Sequence, residues 1–221
     1  MTTLTFYGHA CFSLANGTTT LLFDPFFTGN PITTTKAEEV ACNYILVSHG
    51  HGDHLGDTVE IAKRTGATVI ATAELAALVG QQDCANISMH LGGKRVFDFG
   101  YVRITPAFHG SGVPGGHAAG FIVSFFGKTL YFAGDTALFG DMALLGRLEK
   151  IDYALLPIGD NYTMGPDDAV EAVKLLNPRT VIPMHYNTWP LIAQSPEAFK
   201  AKVEEQHIPV HIMAPSQSIE L

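Results

Sequence analysis

The sequence predicts an α/β protein built from two mixed β-sheets packed on each other with helices outside. Two observations carry this. Short apolar runs bounded by Gly, Pro, Asn or Asp alternate with stretches of helical periodicity, and this rhythm occurs once in each half of the chain. Strands and helices with one apolar face must bury it against another layer, and two such halves suit two sheets placed back to back. At 221 residues the chain is long enough for one substantial core and short for two ordinary domains, so a single domain spanning residues 1–221 is expected.

The elements follow in order. Leu4–Leu14 and Thr19–Phe23 read as strands around the turn Ala15-Asn16-Gly17, a hairpin signal. Thr28–Thr35 reads as a loop, and Tyr44–Val47 is an apolar run that suits a buried strand. Thr58–Thr65 and Glu74–Val79 are helical, with strand-like Thr68–Ala71 between them. The middle returns to strands at Lys94–Phe97, Tyr101–Pro106, Gly120–Phe126 and Thr129–Ala133, the last closed by Gly134-Asp135-Thr136. Helix Asp141–Leu148, strand Tyr153–Pro157, helix Asp167–Leu176 and strand Thr180–Met184 come next, with Pro166 and Pro178 as start and stop marks. Helix Pro196–Glu205 and strand Pro209–Met213 end the series.

Composition narrows the function classes. Hydrophobic residues make up 47% and charged residues 15%, which argues for a packed interior rather than disorder. The net charge of −8 argues against a long nucleic-acid footprint, which needs clustered Lys and Arg. No apolar run reaches the roughly 18 residues that cross a bilayer. Met1–Phe6 carries no basic residue and the first lysine is Lys36, so no secretory leader and a cytoplasmic location are expected. Cys11, Cys42 and Cys84 are odd in number and dispersed, as buried reduced thiols would be. The expected partner is a small-molecule substrate, with no membrane and no long nucleic acid; homo-oligomer formation stays open.

The densest signal is Ser48-His-Gly-His-Gly-Asp-His54. Alternating residues of an extended segment point the same way, so His49 and His51 can grip one cation, and Asp53 with His54 a second. Imidazole with carboxylate suits zinc, manganese, iron or nickel better than calcium or magnesium. The cluster begins where the strand Tyr44–Val47 ends, and in open α/β sheets ligands bind at that end. His109, Asp135 and His185 also fall just past strands. Taken singly, each is as readily a structural residue as a ligand; their shared placement makes them candidates together.

These residues, with Tyr7-Gly-His-Ala-Cys-Phe12, Phe23-Asp-Pro-Phe26, Gly159-Asp-Asn-Tyr-Thr-Met-Gly165 and Pro183-Met-His-Tyr-Asn-Thr188, give the whole chain a resemblance to the metallo-β-lactamase superfamily. Within it the chain is most similar to small single-domain metal-dependent hydrolases related to ascorbate-6-phosphate lactonase. The resemblance implies a four-layer αββα sandwich with the site at the edge where the sheets meet. It implies two divalent metal ions per chain, zinc first and Mn, Ni or Fe as alternatives. His49, His51 and His109 would hold one, Asp53, His54 and His185 the other, with Asp135 bridging. A shared hydroxide would then attack a small ester, lactone or phosphodiester. The runner-up is a mononuclear iron oxidoreductase of the persulfide-dioxygenase kind. Within that resemblance, a carboxylate at Asp135 departs from the thiol usual in the best-known zinc β-lactamases and an imidazole at His51 from the carboxylate typical of flavodiiron oxidoreductases, and both departures favour hydrolysis over oxygen reduction.

Five further expectations concern side chains near these ligands. Asp53 and His9 are the catalytic candidates: His9 reads as a mid-strand structural residue, and the resemblance implies that it approaches the metals or protonates a leaving group. Asp24 either orients a ligand imidazole or caps a turn. His117, on the glycine-rich stretch Gly110–His117 read as a rim or mobile flap, is either a substrate contact or a solvent-exposed residue, and Asn161 either lines the pocket to bind substrate or belongs to a turn that bonds itself.

Overall fold

The computed structural model describes residues 1–221. Its first sheet has seven strands: β1 (Thr3–Gly8), β2 (Cys11–Asn16), β3 (Thr19–Phe23), β4 (Tyr44–Leu46), β5 (Thr68–Thr72), β6 (Asn86–Met89) and, at the chain's end, β13 (Ser218–Glu220). Their spatial order is β13-β1-β2-β3-β4-β5-β6. Pairing is antiparallel from β13 to β3 and parallel from β3 to β6. The second sheet has six strands: β7 (Lys94–Phe97), β8 (Gly100–Pro106), β9 (Ala119–Phe125), β10 (Lys128–Phe132), β11 (Tyr153–Pro157) and β12 (Thr180–Met184). There β7 to β10 are antiparallel, and β10, β11 and β12 run parallel.

The two sheets meet through aromatic side chains. Phe12 and Phe23 from the first lie 6.4 and 5.2 Å, centroid to centroid, from Phe132 of the second. On the outer face of the first sheet, Leu22, Ile45, Val47 and Val69 pack with Ile61 and Ala62 of α2 (Thr58–Thr65) and Leu75, Ala76 and Val79 of α3 (Ala73–Gly80). The second sheet is covered by α4 (Met142–Leu148), α5 (Pro166–Leu176) and α6 (Pro196–Glu204). In α5 the buried residues Ala169, Ala172, Val173 and Leu176 recur at the spacing of one helical face, which is why that segment folds as a helix against the sheet. The αββα sandwich is therefore the observed architecture. No helix is long and apolar enough to cross a membrane, and the three cysteines are free and buried.

The structure departs from the sequence expectations in four elements. Leu4–Leu14 is two strands, because the chain reverses at Gly8-His9 with φ of +115° and +61° and Phe6 pairs with Phe12. His9 is thus a turn residue and not a mid-strand one. Pro209–Met213 makes a single bridge, Val181 to Val210, instead of a strand. The edge strands β6 and β13 were not foreseen, since both are rich in polar residues that an apolar-run criterion passes over.

Candidate metal centre

The short helix α1 (Gly52–Leu55) begins directly after the extended residues that follow β4. His51 caps it in extended conformation, and Asp53 and His54 are carried on its single turn. Asp24 closes β3 with φ of +40°, and its N–H donates to the Leu46 carbonyl at 3.0 Å, which fixes it beside the end of β4. His109 follows β8, Asp135 follows β10 and His185 follows β12. The His185 N–H donates to the His9 carbonyl at 2.8 Å and so ties the β1–β2 turn to this ligand.

All seven side chains converge, in three overlapping groups whose donor atoms lie within 4.8 Å of one another. His49, His51 and His109 form one, and His9, Asp53, His54 and His185 a second. The third joins His49 and His54 to Asp135. Asp135 lies between the other two: Oδ2 is 3.1 Å from His185 Nε2 and 3.6 Å from His109 Nε2, and Oδ1 is 3.3 Å from His54 Nε2.

The residues fit bound cations. His54 Nε2, His185 Nε2 and Asp135 Oδ1 are buried and lack a hydrogen-bond partner, although such atoms are normally satisfied. A cation supplies what each lacks, and imidazole with carboxylate is the donor chemistry of borderline divalent metals.

The electrostatics agree. Burial, helped by the neighbouring His54, pushes His49 down to about 2, so its imidazole is neutral and ready to ligate. Burial alone would raise Asp135, but the His54 and His185 imidazoles outweigh it and hold the carboxyl well below its usual range. Asp53 is held down likewise, burial being overcome by the hydrogen bond from His9 and by His54. For His54, burial opposes protonation, yet Asp135 and Asp24 outweigh it and lift the imidazole well above its ordinary value. A proton on His54 and a cation at its Nε2 answer the same negative field and exclude each other.

Asp24 is fully buried and lies behind the ligands. Its Oδ2 accepts from His54 Nδ1 at 2.7 Å and from the Ser48 hydroxyl at 2.5 Å, and its Oδ1 accepts from the Ser48 N–H at 2.7 Å. His9 is also fully buried. Its Nε2 lies 3.1 Å from Asp53 Oδ2 and its Nδ1 2.8 Å from the Thr188 hydroxyl. Since the carboxylate only accepts, Nε2 carries the proton and Nδ1 accepts from Thr188.

A cleft of about 540 Å³ opens over the centre, lined by Phe26, His51, Gly52, Asp53, His109, Asp135, Tyr162, His185 and Trp189. Neither proposed substrate-binding residue lines it. The His117 ring lies beside His90, ring centroids 5.5 Å apart, and its carbonyl accepts from the Thr72 hydroxyl at 3.4 Å. Asn161 is exposed on a left-handed turn whose N–H bonds the Asp160 side chain; Tyr162, next to it, reaches the cleft instead. His9 does not line the cleft either and stands behind Asp53.

The start of Gly110–His117 is not a free flap. Gly50 N–H donates to the Ser111 carbonyl at 2.7 Å, and a Cβ built on Gly112 would meet the Gly50 carbonyl carbon at 2.5 Å. Glycine is needed there for close backbone approach, which pins this stretch onto the His49–His51 segment. Sequence reasoning also missed Thr188 and the aromatic cleft residues. The one available signal was that Phe26 and Thr188 stand at the ends of segments already singled out, with Trp189 next in line.

Fold and donor set together define a metal-dependent hydrolase. The Beta-lactamase superfamily domain family matches residues 19–186, and the chain belongs to the metallo-β-lactamase superfamily. It is 52% identical to a UPF0173 metal-dependent hydrolase of Pelotomaculum thermopropionicum, with 99% of each chain covered. A UPF0173 metal-dependent hydrolase of Natranaerobius thermophilus is 48% identical over the same share of both chains. Among solved structures, Igni18, described as a novel metallo hydrolase from Ignicoccus hospitalis, superposes with a TM-score of 0.93 at 36% identity, covering 100% of this chain and 99% of its own.

Proposed function

We propose that the protein hydrolyses a small ester, lactone or phosphodiester with two divalent cations, zinc first among them. The observation that carries this is Asp135, set between two adjoining donor groups. One tetrahedral cation has no use for seven ligands, so the arrangement favours two cations over the mononuclear oxidoreductase alternative. Bound cations supply a water acidified towards neutrality and positive charge against the oxygen that becomes negative in the transition state.

The chain's own residues do the rest. His49, His51 and His109 would hold one cation, Asp53, His54 and His185 the other, and Asp135 both. Asp24 keeps the His54 proton on Nδ1 and so leaves Nε2 free to ligate. Asp53, partly exposed at the cleft, would accept a proton from the attacking water and return it to the leaving group. His9 acts through Asp53 as a positioning residue, its own ring held by Thr188. The free buried cysteines support a reducing, cytoplasmic setting.

The test is metal analysis of purified protein together with a screen of lactones, esters and phosphodiesters and a measurement of oxygen uptake. Close to two metals per chain with turnover of one of these substrates is expected. A single iron with thiol-dependent oxygen uptake would overturn the reading.

A further inference from the structure

The walls of the cleft say more about the substrate than its floor does. Of the nine lining residues, three are aromatic, Phe26, Tyr162 and Trp189, and none is Lys or Arg. The absence is systematic. The chain has 13 Lys and Arg, and none falls in residues 24–31, 48–57, 107–118, 133–141, 158–165 or 185–195, the segments at the strand ends that build the site. Those same segments carry Asp24, Asp53, Asp57, Asp135, Asp141 and Asp160. Two divalent cations would be largely balanced by Asp24, Asp53 and Asp135, so a remote negative charge on a substrate meets no counter-ion of its own.

The aromatic residues are held as a surface. Trp189 lies 6.2 Å from Phe26 and edge-on to the buried His9 ring at 4.9 Å. Tyr162, which lines the cleft, is 53% exposed. A large aromatic side chain left in water at the edge of a cleft that two further aromatics line marks a binding surface, whereas scattered ones would not.

We propose that Phe26, Trp189 and Tyr162 form a subsite for an apolar acyl or aryl group, and that the substrate carries no charged group remote from its scissile bond. This rests on the hydrolase reading above. It names the substrate class as a neutral, lipophilic ester or lactone, and sets sugar phosphates and other polyanions aside.

The test compares p-nitrophenyl acetate, hexanoate and hemisuccinate on the metal-loaded enzyme. Hexanoate should exceed acetate in kcat/KM by at least about tenfold, the low end of the scale for a single methylene in an apolar pocket, and hemisuccinate should fall below acetate. Trp189→Ala and Tyr162→Ala should each shrink the hexanoate-to-acetate ratio several-fold while metal content stays at the wild-type level. Tyr162 is exposed, so that variant does not depend on core packing. Preference for hemisuccinate, or a ratio that neither variant moves, overturns the subsite. If no ester is cleaved, the ester-hydrolase reading fails, and the subsite is then judged by binding alone. Trp189 is the only tryptophan, so its emission reports on the cleft. Hexanamide should shift it saturably and acetamide should not; equal responses or none overturn the proposal.

Discussion

Asp24 Oδ2 lies 2.7 Å from His54 Nδ1, and neither side chain has any exposed surface. Burial raises the Asp24 carboxyl above its usual range, and the His54 imidazole and the Ser48 hydrogen bonds offset part of that rise. The pair fixes the His54 tautomer. With the proton held on Nδ1, the Nε2 lone pair faces the Asp135 carboxylate and the space between them.

Asp24→Asn keeps the shape and removes the charge behind His54. Metal affinity should fall by about 10- to 100-fold, the usual scale for such partners. Competition against a chelator measures it directly. Unchanged affinity would mean that Asp24 only shapes the turn at the end of β3.

Chelation should abolish turnover of the wild type, and re-addition of zinc should restore it. Asp135→Asn removes the negative charge between the two donor groups. Its metal content should drop below the wild-type value and kcat/KM should fall by roughly two orders of magnitude. A variant with full metal and full activity would contradict the bridging role.

For His9 the useful variants are His9→Asn, which tolerates the left-handed backbone at this turn, and Thr188→Ala. Loss of the hydrogen bond to Asp53 should move the acid limb of the pH–rate profile upward, because that bond helps to keep Asp53 ionised. The profile should shift with the first variant and less with the second. A fall in kcat with an unmoved profile would assign His9 to the fold alone.

What could be read from sequence was local. Tyr44–Val47 declares a strand by its own apolar run, and His49 to His54 declare a metal chemistry by spacing alone. Roles set across the chain were not legible. Asp24 before Pro25 fits a capped turn as well as a buried partner, and only the approach of His54 from thirty residues away decides. The alternating pattern of Leu4–Leu14 passes unbroken through His9, so the reversal there was hidden. His117 is near His109 in sequence, yet its ring lies beside His90 and not in the cleft. The strands β6 and β13 sit at sheet edges, where polar residues pair as readily as apolar ones and leave no periodic trace.

Acid should destabilise the metal-free protein. Burial lowers His9 to about 4 and His49 to about 2, and lowers His109 as well. The unfolded chain protonates these imidazoles below about 6.5, so it binds more protons than the folded form and stability falls as pH drops from there towards 4. His54, raised instead, contributes its full share below about 6.5 and loses it as pH rises through its folded value, so it does not offset the acid loss. The thermal midpoint of chelated protein should therefore be highest near neutrality and fall on acidification. A flat or rising midpoint between pH 6.5 and 4.5 would contradict this.

Gly112→Ala tests whether the Gly110–His117 stretch holds the first donor group in place. At Gly112 φ is +66°, and an added Cβ would lie 2.5 Å from the Gly50 carbonyl carbon and 2.7 Å from the His51 nitrogen. Both contacts are backbone, so relief requires the two segments to separate and His51 to move with them. Gly115→Ala is the matched control, with φ of +72° and nothing within 4 Å of its Cβ. Both variants incur the strain of a left-handed side chain, of the order of 1 to 3 kcal/mol. Only Gly112→Ala adds the clash. It should therefore lose cation from the His49, His51 and His109 group, taking metal content towards one per chain, and should melt below the Gly115→Ala protein. If the two variants match in metal content and in thermal midpoint, the stretch is not what positions these three histidines.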